Sequence, residues 1–313
     1  MLVLTDDDVL AAMSMANAID VVERAFAHAG TGRARNVPRQ RVELGGRTLH
    51  VLGGAMAQPP YFATKTYMSA PGGGSSWLLL FDAAGVAVAA IEAVELSRLR
   101  TGAATAVATR WLSRRDCRTL AIIGSGKQAA RQVEAVLSVR DIGQVRAWSP
   151  TRAHVTRFAE RLTDREQVTV AVAASAEEAV RDTDVVVLMT TAASPVLQRA
   201  WLRAGMHLNL VGCNRPTCSE VEPEVVAASD VLVVDDLEQA RHEAGDFLVA
   251  IDAGDLGWAN VLELGDVVTQ RRRGRTGTDQ ITLFNSLGVG IEDVAVGVAA
   301  YERARSSGLG KVI

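Results

Sequence analysis

Cysteine is nearly absent: three residues, Cys117, Cys213 and Cys218, in a chain of 313. Three cysteines cannot build a disulfide framework, and their scarcity points to a reducing, cytoplasmic setting. Long apolar runs are missing too, so no transmembrane helix is expected. The opening MLVLTDDDVL has no basic start followed by a long apolar core, so no secretory signal is expected either. Neither charge sign dominates: 33 Lys and Arg against 36 Asp and Glu give a net charge of −3. That excludes a field able to gather nucleic acid or an acidic membrane surface. The one dense basic run, RRRGR at 271–275, reads as a solvated loop. What is plentiful is apolar side chain, 48% of the residues, enough for one large α/β domain or two ordinary ones.

The rhythm of the chain changes once. Residues 6–29 read as an amphipathic helix pair broken near Met13–Ala16, with Val21, Val22, Ala25 and Phe26 on one face. Strand candidates joined by Gly-rich turns follow: RQRVEL, RTLHVL, YFATKTYM, WLLLFD and VAVAAIE. They predict an antiparallel sheet, closed by the helical run AVELSRLRTGAATAVATRWL. From Arg118 six short apolar strands alternate with helices, at 118–123, 144–149, 168–172, 184–190, 206–211 and 230–235. That is the pattern of a parallel sheet covered on both faces. The ending ITLFNSLGVGIEDVAVGVAAYERARSS reads as a strand and a long helix returning to the first segment. The fold class expected is therefore α/β, a Rossmann-type doubly wound sheet inserted in an α+β domain. The boundaries expected are 1–112 completed by 288–313 for the outer domain, and 113–287 for the insert.

AIIGSGKQAA (121–130) is a G-x-G-x-x-A turn, Gly124, Gly126 and Ala129, between an apolar strand and a helix. Gly124 permits the tight turn, Gly126 lets backbone approach a pyrophosphate, and Ala129 lets helix and sheet pack closely. Ser125 lies within the turn, and Gln128 is expected beside the pyrophosphate. The second strand ends in Trp148-Ser149-Pro150-Thr151-Arg152, with no acid from 142 to 159. An adenosine 2′-hydroxyl would want a carboxylate there, whereas a 2′-phosphate wants Arg152 with hydrogen bonds from Ser149 and Thr151. NADP(H) is expected, with NAD(H) the alternative.

The first segment offers cations for a substrate. Alternation in FATKTYM puts Ala63, Lys65 and Tyr67 on one face. Arg39 and Arg41 share a face of RQRVEL, and Arg100 heads the small-residue helix RTGAATA. Cations converging on an apolar site suit a substrate carboxylate, because buried charge of one sign needs an anion.

Taken together, FATKTYM, LRTGAATAVAT (99–109), AIIGSGKQA, VVDDLEQARH and ITLFNSLGVGIEDVAV resemble the ornithine cyclodeaminase/μ-crystallin family over essentially the whole chain. The resemblance implies a homodimer whose outer domain binds substrate and buries its sheet in the interface. It implies hydride transfer at an amino or imino carbon next to a carboxylate. By matching position it gives Lys65 and Arg100 carboxylate-binding roles, with Arg41, or Arg39 if the hairpin slides, as third member. Thr190, Thr191 and Gly212 join the cofactor-binding set on the same ground. The cyclodeaminases of the family carry an Asp where LNLVGCNRP (208–216) has Asn214, and a Glu on the strand where HVLGGAM (50–56) has no acid. An amide cannot act as a base at neutral pH, so cyclodeamination is disfavoured.

What remains is an NAD(P)H-dependent imine or ketimine reductase forming an amino acid, with Lys65 able to deliver a proton and Asn214 bonding the substrate nitrogen or the ribose. An alanine-dehydrogenase-like enzyme and a non-catalytic, crystallin-like NADP-binding protein are the alternatives. Cys213 has no His nearby to make it a nucleophile, and a Cys213–Cys218–His207 zinc site lacks a fourth ligand. Glu238 and Asp293 are expected as caps or ion-pair partners.

Overall fold

The computed structural model describes residues 1–192, 194–254 and 256–313. In chain order its elements begin with β1 (Leu2–Leu4), α1 (Asp6–Ala12), α2 (Met15–Gly30), β2 (Ala34–Leu44), β3 (Arg47–Ala57), β4 (Pro60–Ser69), β5 (Ser76–Asp82), β6 (Ala87–Glu92) and α3 (Val94–Leu112). Next come β7 (Thr119–Ile123), α4 (Ala129–Leu137), β8 (Gln144–Trp148), α5 (Arg152–Glu166), β9 (Thr169–Val172), α6 (Ala176–Val180) and β10 (Val185–Leu188). They continue with β11 (His207–Leu210), α7 (Pro223–Ala227), β12 (Val231–Val234), α8 (Leu237–Glu243), α9 (Gly245–Asp252), β13 (Val261–Glu263), α10 (Leu264–Val268) and β14 (Thr282–Asn285). The chain closes with α11 (Gly290–Ser307) and β15 (Lys311–Val312). Two compact units result, one of residues 1–104 with 288–313 and one of residues 105–287. The first boundary thus falls inside α3 rather than after it.

In the first unit the helix pair breaks where expected. Thr5 and Asp8 form a reciprocal capping box that starts α1, and the Ser14 hydroxyl accepts from Asn17 N to start α2. The sheet runs β15-β1-β6-β5-β4-β3-β2. Strands β2 to β6 are antiparallel neighbours, as their Gly-rich turns require, while β1 adds in parallel to β6. One face, carrying Leu52, Lys65, Leu78, Leu80 and Ile91, is buried. Helix α11 lies on it against β3 and β4. The approach is close because it is made by glycine: a Cβ on Gly290 would overlap Gly53 O, and one on Gly54 would crowd the Gly290 backbone.

In the second unit all eight strands are parallel, in the order β13-β12-β14-β11-β10-β7-β8-β9. Strands β10, β11, β12 and β14 are buried at every residue, because helices cover both faces and leave no side for polar alternation. Two apolar cores follow, one with Phe247 and Leu283, the other with Ile122, Val145 and Phe158. The expected six strands become eight. Val261–Glu263 is only three residues long, and Thr282–Asn285 inserts between β11 and β12 out of sequence order. The RRRGR run also needs correction. Arg271, Arg272 and Arg273 are exposed, but Arg275 is half-buried and donates to Leu112 O, Met206 O and Gln280 O. It closes the carbonyl end of α3, where a cation suits the helix dipole.

Candidate active site

The cradle of the second unit is built by the turn after β7. Gly124 has φ +113°, a left-handed value that suits glycine, and its N donates to Trp148 O at 2.8 Å. A Cβ there would overlap Met189 O, whereas a Cβ on Gly126 would meet only open space. Ala129 opens α4 fully buried, so helix and sheet pack as the motif demands. Gln128, at the N-cap, keeps a buried Oε1 without a hydrogen-bond partner. Beside the turn is a cavity of about 530 Å³ lined by Gly124, Ser125, Gly126, Trp148, Ser149, Pro150, His154, Met189, Thr190, Thr191, Ala192 and Val196. Its volume is within the range of cofactor pockets. Open space at Gly126, an orphaned amide oxygen and the pocket volume all fit a dinucleotide.

Not every expected contact faces that cavity. Thr151 and Arg152 start α5 outside its lining, and Arg152 Nη1 donates to Ala173 O at 3.2 Å. His154, which sequence reasoning did not single out, lines it. Gly212 follows β11, and a Cβ on it would overlap Thr190 O. The loop beyond it returns on itself, so that Cys213 and Cys218 have Cα atoms 5.9 Å apart and form a disulfide. No disulfide framework is expected of three cysteines, yet two of them pair here, and Cys117 is free. Half-buried Asn214 and exposed Arg215 lie inside that ring of residues.

In the first unit the cations do gather. Lys65 is 2% exposed between Leu52 and Leu78 on the neighbouring strands, so the sheet offers it no counter-charge. Helix α11 supplies one. Lys65 Nζ lies 2.7 Å from Asp293 Oδ1 and donates to Ser97 Oγ at 3.1 Å. Arg100 Nη1 pairs with Glu292 Oε2 at 2.8 Å, and its Nε lies 3.3 Å from the same Asp293 oxygen. Arg39 is buried, and its Nη2 donates to Gly288 O at 2.9 Å. Arg41 stands two residues along the same face, half-buried and opposite His50. His50 stacks on Tyr67 with ring centroids 4.3 Å apart, and the Tyr67 ring lies 5.8 Å from Lys65 Nζ.

Burial sets the electrostatics. It pushes Lys65 down to about 8, helped by the field of Arg100 and resisted by Asp293. Burial alone would lower Arg100, but Asp293 and Glu292 outweigh it and hold the guanidinium above its usual value. Glu292 is raised by burial to about 7 against the pull of Arg100. Asp293 Oδ2 and Glu292 Oε1 are buried with no hydrogen-bond partner. Sequence reading expected Asp293 as an ion-pair partner but missed Glu292. The available signal was two adjacent acids opening a helix with almost no polar face, where the dipole favours anions. Among the described residues, no group of three His, Cys, Asp or Glu could hold a metal ion.

The doubly wound sheet with its glycine turn defines a Rossmann-type dinucleotide-binding class. Within it, the chain belongs to the ornithine cyclodeaminase/mu-crystallin family, whose model matches residues 1–308. Alanine dehydrogenase of Archaeoglobus fulgidus is 33% identical, with 100% of this chain and 98% of that protein covered. Delta(1)-pyrroline-2-carboxylate reductase of Bacillus cereus is 37% identical over 74% of this chain and 71% of that protein. Among solved structures, Delta(1)-pyrroline-2-carboxylate reductase of Thermococcus litoralis, in complex with NADH and L-proline, superposes with a TM-score of 0.96. That match is at 31% identity and covers 100% of both chains.

Proposed function

We propose that this protein is an NAD(P)H-dependent oxidoreductase that reduces a C=N bond next to a carboxylate, giving an amino acid. The observation that carries the reading is the meeting of Lys65 and Arg100, both buried, at the two carboxylates of α11, with buried Arg39 in the same unit. Such a gathering of cations suits a small substrate carboxylate. Similarity to the pyrroline-carboxylate reductases supports the same chemistry.

Lys65, Arg100 and Arg39 bind and orient the carboxylate, with Arg41 extending their row. Lys65 holds a proton at pH 7, yet its value near 8 leaves it ready to give that proton to an imine nitrogen. Gly124, Ser125, Gly126, Gln128 and Ala129 would hold a dinucleotide's pyrophosphate, and Thr190, Thr191 and Gly212 its nicotinamide half. The reduced nicotinamide, when bound, supplies hydride. Asn214 offers an amide to the substrate nitrogen or ribose, and it has no capacity to take a proton from water. With no acid in residues 50–56 either, hydrolytic cyclodeamination lacks its groups.

NADP(H) is the cofactor favoured by the end of β8, where Ser149, Thr151 and Arg152 stand with no carboxylate to repel a 2′-phosphate. NAD(H) is the competing choice, being bound in the Thermococcus litoralis structure. A homodimer is supported by the outer face of the first unit's sheet, where Val42, Phe62 and Trp77 are exposed. The 33% identity to an alanine dehydrogenase favours one second reading, interconversion of an open-chain amino acid and its 2-oxo acid. The test offers purified protein NADPH or NADH with Δ1-pyrroline-2-carboxylate, or with pyruvate and ammonia. Oxidation with the cyclic imine is expected, faster with NADPH. Oxidation with pyruvate alone would establish the second reading, and none with either would overturn both.

A further inference from the structure

The ends of β10 and β11 are joined by a carboxylate that no motif announces. The ladder between these strands ends where Val211 N donates to Leu188 O. One step further, the N–H groups of Thr190 and Gly212 have run out of strand carbonyls. Glu220 takes both: its Oε1 accepts from Thr190 N at 2.7 Å, and its Oε2 from Gly212 N at 2.7 Å. The same Oε1 accepts the Thr190 hydroxyl proton at 2.7 Å. Glu220 is itself anchored, because Asp246 Oδ1 accepts from its N at 2.7 Å and from Ser219 Oγ at 2.8 Å. With Glu220 only 1% exposed, the bridge is shielded from water.

We propose that Glu220 is a positioning residue for the nicotinamide-ribose half of the dinucleotide, a role that rests on the cofactor reading above. It acts in two ways. It fixes the spacing of the two strand ends that carry Thr190 and Gly212. It also sets polarity: Thr190 gives its single hydroxyl proton to Glu220 and accepts from Ala192 N at 3.2 Å, so toward the cavity it keeps one acceptor site and no proton to donate. A ligand group that donates, such as a ribose hydroxyl or carboxamide NH₂, is then matched. A protonated Glu220 carries no charge and sets an O–H donor among these three donors, which weakens the bridge, and a glutamine there replaces one oxygen by an NH₂ that cannot accept.

Burial and the neighbouring Asp246 raise Glu220 to about 7, against the hydrogen bonds from Thr190 and Gly212. Asp246, raised by its own burial, is the titratable group facing it. The bridge therefore tightens above neutral pH and loosens below it.

The test measures the dissociation constants of NADPH and NADH by fluorescence between pH 5.5 and 8.5, with kcat and KM, for wild type, Glu220→Gln and Thr190→Val. Wild-type affinity is expected to weaken as pH falls through about 7. Glu220→Gln should bind roughly ten- to hundredfold more weakly at pH 8, with cofactor KM affected more than kcat, and should lose that pH dependence. His154 lines the same cavity, and any pH response that the glutamine variant keeps is subtracted. Thr190→Val should weaken binding without altering the Glu220–Gly212 link. Should Glu220→Gln fail to fold, the wild-type titration and Thr190→Val still decide. Unchanged affinity in Thr190→Val together with a flat wild-type profile overturns the proposal. So does a folded glutamine variant that binds like wild type at every pH. A wild type that binds neither nucleotide overturns the cofactor reading instead.

Discussion

Asp293→Asn is the sharpest probe of the cation cluster, here called the clamp, because it removes one charge and almost no volume. The carboxylate oxygen lies 2.7 Å from Lys65 Nζ. At an effective dielectric constant of about 20, that separation corresponds to an attraction of roughly 6 kcal/mol. The asparagine oxygen still accepts the hydrogen bond and returns part of this, leaving a loss on the order of 3–4 kcal/mol, as expected when a buried pair is broken. At about 1.4 kcal/mol per unit, Lys65 drops by roughly two to three units from its value near 8. Arg100 keeps Glu292, so the carboxylate-binding fork survives. The assay is the pH dependence of kcat/KM for reduction of Δ1-pyrroline-2-carboxylate. In the wild type the rate falls above about pH 8, where Lys65 loses its proton. In the variant that fall moves to roughly pH 5–6, leaving between about a tenth and a hundredth of the activity at pH 7. A folded variant whose basic limb stays at pH 8 would refute both the pairing and the role of Lys65 as proton donor.

Three other outcomes are expected. Lys65→Met should abolish turnover by at least about a hundredfold while nucleotide affinity is kept, since the cradle lies in the other unit; an active variant refutes the assignment. Arg152→Gln should raise the KM for NADPH by roughly tenfold and leave NADH unaffected, and equal changes for both would remove Arg152 from 2′-phosphate recognition. His207 is buried with its Nδ1 2.9 Å from Thr282 Oγ1, and burial lowers it to about 3 from 6.5. The unfolded chain takes up that proton first, so this histidine's contribution is intact above pH 6.5 and shrinks as pH falls toward 3. Urea unfolding at pH 7.5 and pH 5 should show His207→Gln losing about 2 kcal/mol less than wild type between the two; identical losses would refute it.

The parallel sheet was legible because strands buried on both faces must be apolar throughout, and β7, β10, β11 and β12 stand out for that reason. β13 was not, being only three residues long; β14 was legible as a strand, but its place between β11 and β12, out of sequence order, was not. Lys65 was legible as a lone charge on the inward face of an otherwise uncharged strand. Which arginine joins it was not, since Arg39 and Arg41 share a face and a register shift between Val37 and Gln40, invisible in the sequence, sets which residue stands opposite which. Glu220 carries no local signal, and Glu292 only that of an acid in the first turn of an almost wholly apolar helix. Their positions follow from chain segments brought together by folding. The same holds for Cys213 and Cys218, whose pairing depends on a loop reversal that their spacing alone does not encode.

The two carboxylates of the clamp come from α11, and Asp293 is 228 positions beyond its lysine partner. Residues 105–287 form a contiguous unit, so on the ribosome they can fold as soon as they emerge. The earlier-made strands cannot finish: until residues 290–307 arrive, Lys65 and Arg100 have no anions, and burying them is costly. Translation order therefore makes the nucleotide-binding fold first, and the cation cluster proposed to hold substrate matures after it, once α11 is made.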